Sequence, residues 1–157
     1  MSAADIHLAL NHLPVVGLLI AAALMLASLV RKSPGLLKAS LVSFVIVAAI
    51  AIPVYLTGEP AEEIVEHLAG VSHDTIEQHE EAALFAFIAM ESLGALAILG
   101  LIFYRRNRVP RWYALAVGAL GVGATAWTLW TAALGGRISH PELQPGFSPP
   151  AEEESEH

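Results

Sequence analysis

Apolar residues run almost unbroken through four stretches of the chain, about residues 13–30, 36–57, 82–104 and 112–134. Each has the roughly 17–25 residues that a helix needs to cross a hydrocarbon layer of about 30 Å. In lipid every backbone N–H and C=O must be bonded internally, so only helices and closed barrels span it, and runs this long predict helices. The expected fold class is therefore all-α: an integral membrane four-helix up-down bundle over residues 1–143. A Pro-rich, then acidic tail follows over residues 144–157 and lacks the apolar content to pack.

The polar punctuation refines the elements. Residues 3–12 predict a short lead-in helix, and Pro14 fits a first turn with Asn11 or His12 as its cap. The sequence Arg-Lys-Ser-Pro-Gly turns the chain into the second helix, which Pro53 should kink before Thr57-Gly58 ends it. Between helices 2 and 3, residues 59–78 are amphipathic: Ala61, Ile64, Val65 and Leu68 lie on one side, and Glu62, Glu63 and Glu66 favour another. This segment should lie over the bundle mouth, broken at Gly70, with Ser72 or Asp74 capping a turn into helix 3. Helix 4 carries a stripe of Gly118, Gly121, Thr125 and Thr128 that permits close packing, and Gly135-Gly136 should stop it. Each hairpin opens on an amide–histidine pair, Asn11-His12 and Gln78-His79, which suggests a duplication about an axis along the membrane normal.

Charge gives the expected orientation. Arg31, Lys32 and Lys38 flank the first connection and Arg105, Arg106, Arg108 and Arg111 the third, leaving only Arg137 elsewhere. Basic loops stay on the cytoplasmic side, so both termini and the 58–80 segment are expected outside. All acidic residues except Glu91 fall on that outer side. The N-terminus lacks a basic lead, so helix 1 reads as a reverse anchor rather than a cleaved signal. Hydrophobic residues make up 55% of the chain and there is no cysteine, which excludes disulfides, thiolate metal sites and covalent haem attachment. No nucleophile–base constellation, phosphate loop or repeated gating charge is present, and a net charge of −7 disfavours nucleic acid.

The chemistry gathers at one end. All seven histidines (His7, His12, His67, His73, His79, His140 and His157) map to the outer side, where lysine and arginine are nearly absent. Neutral imidazole ligates haem iron, copper or zinc. Beneath His79, helical spacing places Ala82, Ala83, Ala86, Met90, Leu93, Gly94 and Ala97, a mostly small face suited to a flat cofactor or to another helix. A non-covalent haem b near the outer face is the leading expectation, with His12 and His79 as axial pair and His7 and His140 in reserve. Two imidazoles on iron leave no open position, so the implied work is electron transfer. A copper or zinc site in which Glu80 or Glu142 joins His79 and His140 is the alternative, as is a cofactor-free accessory subunit of a larger membrane complex. His67 and His73 read as surface residues and His157 as part of the tail.

Glu91 lies roughly 15 Å from either end of its run, near the middle of a bilayer core. A carboxyl there either handles a proton, for instance for a quinone, or stays neutral and bonds to Thr125, Ser43 or a backbone carbonyl. The acidic outer surface would attract a cationic cytochrome c or a basic subunit, less so at high salt.

His7-Leu-Ala-Leu-Asn-His12-Leu-Pro14 has the form His-x4-His-x-Pro. With Thr57-Gly58 closing helix 2 and His79 opening helix 3, the chain resembles the small four-helix bacterial membrane proteins known as domain of unknown function 2231. The resemblance covers about residues 7–140 and departs at Leu8, where the family commonly has proline, and in the acidity of the outer segment. It implies a small bacterial membrane protein whose histidines bind haem or metal, and by itself it supplies no activity. Taken with the charge pattern, the expectation is a multi-pass protein of the bacterial inner membrane, both termini periplasmic, serving electron transfer in a respiratory or photosynthetic assembly.

Overall fold

The computed structural model describes residues 3–65, 72–105 and 108–140. Six α-helices and no strands occur among them: α1 (Ala3–Leu10), α2 (His12–Arg31), α3 (Pro34–Leu56), α4 (Gly58–Val65), α5 (His73–Phe103) and α6 (Arg111–Ser139). His67, Gly70, Glu142, His157 and the tail lie outside the described residues.

Local chemistry accounts for most boundaries. α2 ends because Lys32 adopts the left-handed region (φ 50°), its N–H donating back to Ser28. Ser33 then caps α3, its Oγ accepting from Leu36 N–H at 3.4 Å, with Pro34 in the first turn, where a missing N–H costs nothing. Three boundaries differ from expectation. Asn11 caps nothing with its side chain; it is itself helical and its N–H donates to His7 O at 2.9 Å, so α1 runs almost directly into α2. α5 begins at His73, well before the apolar run, which puts His79 inside a helix instead of at its start. α6 continues through Gly135-Gly136 to Ser139; two glycines cost about 1 kcal/mol each relative to alanine but remove no hydrogen bond.

The long helices pack in a closed ring, α2 on α3, α3 on α5, α5 on α6 and α6 on α2, while α1 packs against α4. Ser40 Oγ donates to Ala21 O at 2.8 Å across the α2–α3 seam. Trp127 Nε1 donates to Ala82 O at 3.0 Å across α5–α6, and Tyr113 Oη donates to Leu96 O lower on that seam. The core holds Leu18, Met25, Leu41, Phe44, Leu93 and Val117, all nearly solvent-free. Glycine permits close approach between helices: a Cβ on Gly94 would lie 2.5 Å from Ala48 Cβ, and one on Gly121 would lie 2.9 Å from Phe44 Cζ.

The burial pattern repeats between the two halves. In α2 the buried positions are Pro14, Leu18, Ala21, Ala22, Met25 and Ser28; in α5 the spacing recurs at Ala86, Met90, Leu93, Gly94, Ala97 and Gly100. In α3 they are Ser40, Leu41, Phe44, Val47, Ala48 and Ala51, matched in α6 by Val117, Gly118, Gly121, Ala124, Thr125 and Thr128. In this register His79 corresponds to His7, not to His12, and Gly135 corresponds to Gly58. Phe44 and Gly121 are equivalent positions that touch, so one must be small for the other to be large.

Outside this core the helices remain apolar. Only 33–39% of the residues in the most apolar stretches of the four long helices are buried, and all four are long and apolar enough to cross a membrane. Leu19, Ile46, Ile88, Phe103, Trp112 and Leu129 are among many large apolar side chains pointing outward, far more than a water-facing surface normally carries.

Candidate functional site

The two halves each dock one histidine on the other helix of their own hairpin. His7, on α1, lies with Nδ1 3.1 Å from Val54 O and 3.4 Å from Thr57 Oγ1 at the end of α3. His79, on α5, lies with Nδ1 3.0 Å from Thr131 O near the end of α6. Val54 and Thr131 are equivalent in the duplicated register, and each precedes its glycine, Gly58 or Gly135, by four residues. Those glycines lie against the rings: a Cβ on Gly58 would sit 3.8 Å from His7 Cε1, and one on Gly135 would sit 3.0 Å from His79 Cε1.

The bonding decides the tautomer. A carbonyl oxygen only accepts, so Nδ1 of each neutral ring carries the hydrogen and Nε2 keeps its lone pair. Backbone carbonyls commonly fix metal-ligating histidines in this way. Both rings are partly buried, and they lie within electrostatic reach of one another. Of each expected axial pair, one member therefore has this geometry. His12 and His140 are exposed, as is His73.

Threonines line the same end of the bundle beneath His79. Thr131 Oγ1 donates to Ala82 O at 3.2 Å and Thr125 Oγ1 to Gly121 O at 2.7 Å. Between them Thr128, only 5% exposed, has a hydroxyl with no partner among the described residues, as does the buried Oδ1 of Asn11. Glu91 makes no hydrogen bond to Ser43 or Thr125, whose hydroxyls donate to Ala39 O at 2.9 Å and to Gly121 O at 2.7 Å. Its buried Oε1 has no partner among the described residues.

No group of three or more His, Asp or Glu side chains able to hold a metal ion converges among the described residues. Glu80 is exposed. The acidic residues Asp5, Glu59, Glu63, Asp74, Glu77, Glu80 and Glu81 are exposed on the elements that carry or flank His7 and His79. The sequence names His7 and His79 as candidates but hides their shared docking, because the carbonyls that hold them lie 47 and 52 positions away. It missed Gly58 and Gly135 as contacts of the rings; their shared distance from Val54 and Thr131 was the available signal.

The class these features define is an all-helical chain with four long apolar helices and a symmetric pair of carbonyl-docked histidines at one end. Comparison with protein-family models, with curated proteins and with solved structures returned no match.

Proposed function

We propose that this chain is a multi-pass protein of the bacterial inner membrane that binds haem b between His7 and His79 and passes electrons. The four apolar helices form an up-down bundle in this reading, with basic connections inside and both termini on the periplasmic side. The observation that carries the haem assignment is the equivalence of the two imidazoles: same docking carbonyl, same glycine neighbour, same free nitrogen, one from each half. Two such donors fit a ligand with two equivalent faces. The unpartnered Thr128 hydroxyl and the side-chain Oδ1 of Asn11 support a polar occupant at this end of the bundle.

Haem iron held by two imidazoles supplies one-electron exchange. The chain's own residues do the rest. Val54 and Thr131 carbonyls orient the rings and hold Nδ1–H, so that Nε2 would be the nitrogen left to ligate the iron. Glu91, far into the apolar layer, is positioned to hold a proton for a membrane-soluble partner such as a quinone. The exposed carboxylates at the histidine end favour a cationic cytochrome c or a basic subunit of a larger complex.

A second reading rests on the same bonds. Nδ1–H of His7 serves a carbonyl in the last turn of α3, and that of His79 serves Thr131 O two turns before the end of α6, so each bond ties together the two helices of a hairpin without any ligand. A cofactor-free accessory subunit would need no more than this. Copper or zinc held by the same two rings would need further donors from outside the described residues. The deciding experiment is a reduced-minus-oxidised absorption spectrum of protein purified from membranes without added cofactor. Soret and α-band features lost in His7→Ala and in His79→Ala support haem; a colourless, metal-free preparation supports the accessory subunit.

A further inference from the structure

α2 and α3 leave an apolar groove on their outward side, about 170 Å³ in volume, lined by Leu13, Gly17, Ile20, Ser43, Ile46 and Ile50, with Val47 at its floor. Gly17 shapes it, because a Cβ there would lie 2.8 Å from Val47 Cγ2. The single hydroxyl, Ser43 Oγ, already donates to Ala39 O, so the groove presents no free hydrogen-bond donor. From Leu13 to Ile20 is two helical turns, roughly 10 Å.

The duplication supplies the comparison. Leu13 and Ile50 correspond to Phe85 and Trp127, whose rings meet edge-on across the α5–α6 seam with centroids 6.0 Å apart. Trp127 is fixed there by its bond to Ala82 O. At this level one seam is bridged by two of the chain's own rings and its counterpart is not. An open apolar trench forfeits dispersion contacts unless something fills it.

We infer that one acyl chain of a phospholipid lies in the α2–α3 groove, in the place that the Phe85–Trp127 pair takes on the other half. The inference rests on the membrane reading above. A chain fits better than a quinone head, because a ring with carbonyl oxygens needs a donor and the groove has none.

The test is reconstitution into phosphatidylcholine vesicles containing a trace of phospholipid with a diazirine on its acyl chain, then illumination and mapping of adducts by mass spectrometry. The α2–α3 seam should label several-fold more than the α5–α6 seam. Leu13→Phe with Ile50→Trp should lower its labelling to the α5–α6 level. The reciprocal Phe85→Leu with Trp127→Ile should raise labelling of α5–α6, which keeps the test alive if the first variant fails to fold. Equal labelling of both seams in the unmodified protein overturns the inference, as does displacement of the label by a long-tailed benzoquinone but not by excess phospholipid. Alkaline carbonate separates the two levels: protein that washes off the vesicles and labels nowhere overturns the membrane reading and this inference together, whereas protein that resists extraction and labels both seams alike overturns only the latter.

Discussion

Gly135 and Gly136 are neighbours in α6 with opposite surroundings, and alanine at each position separates helix propensity from packing at the histidine. A Cβ at Gly136 meets nothing within 4 Å, whereas one at Gly135 meets His79 Cε1 at 3.0 Å. Gly136→Ala should gain the propensity difference, about 0.5–1 kcal/mol. Gly135→Ala gains the same amount but forces the ring to shift. Overpacking costs about 1–3 kcal/mol, and weakening the 3.0 Å His79–Thr131 bond adds about 1 kcal/mol. The steric cost wins, leaving Gly135→Ala destabilised by roughly 1–3 kcal/mol and the two variants about 2–4 kcal/mol apart. For a chain of this size that is on the order of 5–10 °C in melting temperature. Thermal unfolding in detergent, followed by circular dichroism, reads the difference. If Gly135→Ala melts with Gly136→Ala or above it, His79 is not held against α6 as described, and the argument for its free Nε2 goes with it.

Other substitutions probe the rest of the account. Thr128→Val removes a buried hydroxyl without a partner and should stabilise the cofactor-free protein by about 1 kcal/mol or more; a loss in the same unfolding assay would mean that the hydroxyl is bonded. Gly94→Ala brings a methyl to 2.5 Å from Ala48 Cβ and should cost about 1–3 kcal/mol. Ala48→Gly should recover much of that loss in a double-mutant cycle, and additive effects would contradict the close α3–α5 contact. Binding of a cationic cytochrome c to reconstituted protein should weaken steeply between low and high salt, and salt-independent affinity would remove the case for steering by the exposed carboxylates.

Much of the architecture was legible because long apolar runs leave a chain few choices. The turn at Ser33-Pro34 was equally plain, since both residues act within one helical turn. The start of α5 was legible at Ser72, the residue before its first turn; its unbroken run from there into the apolar stretch was not, because His73 to Glu81 is a polar segment with little apolar period to announce it. Gly135-Gly136 misled for a physical reason: glycine weakens a helix without breaking its hydrogen-bond ladder. The duplication is nearly invisible in residue identity, since equivalent buried positions hold Phe44 and Gly121, or Ser28 and Gly100. What is preserved is the spacing of burial. The likeness of Asn11-His12 to Gln78-His79 suggests a register that sets His79 beside His12, whereas the spacing of burial aligns His79 with His7, and these two share the docking on Val54 and Thr131.

The pairing of His7 with His79 is tested most directly by haem stoichiometry, measured as pyridine haemochrome per chain in protein purified from membranes. The account predicts one haem per chain in the unmodified protein and in His12→Ala, and none in His7→Ala or His79→Ala. Haem retained after loss of either His7 or His79, or lost in His12→Ala alone, would contradict it.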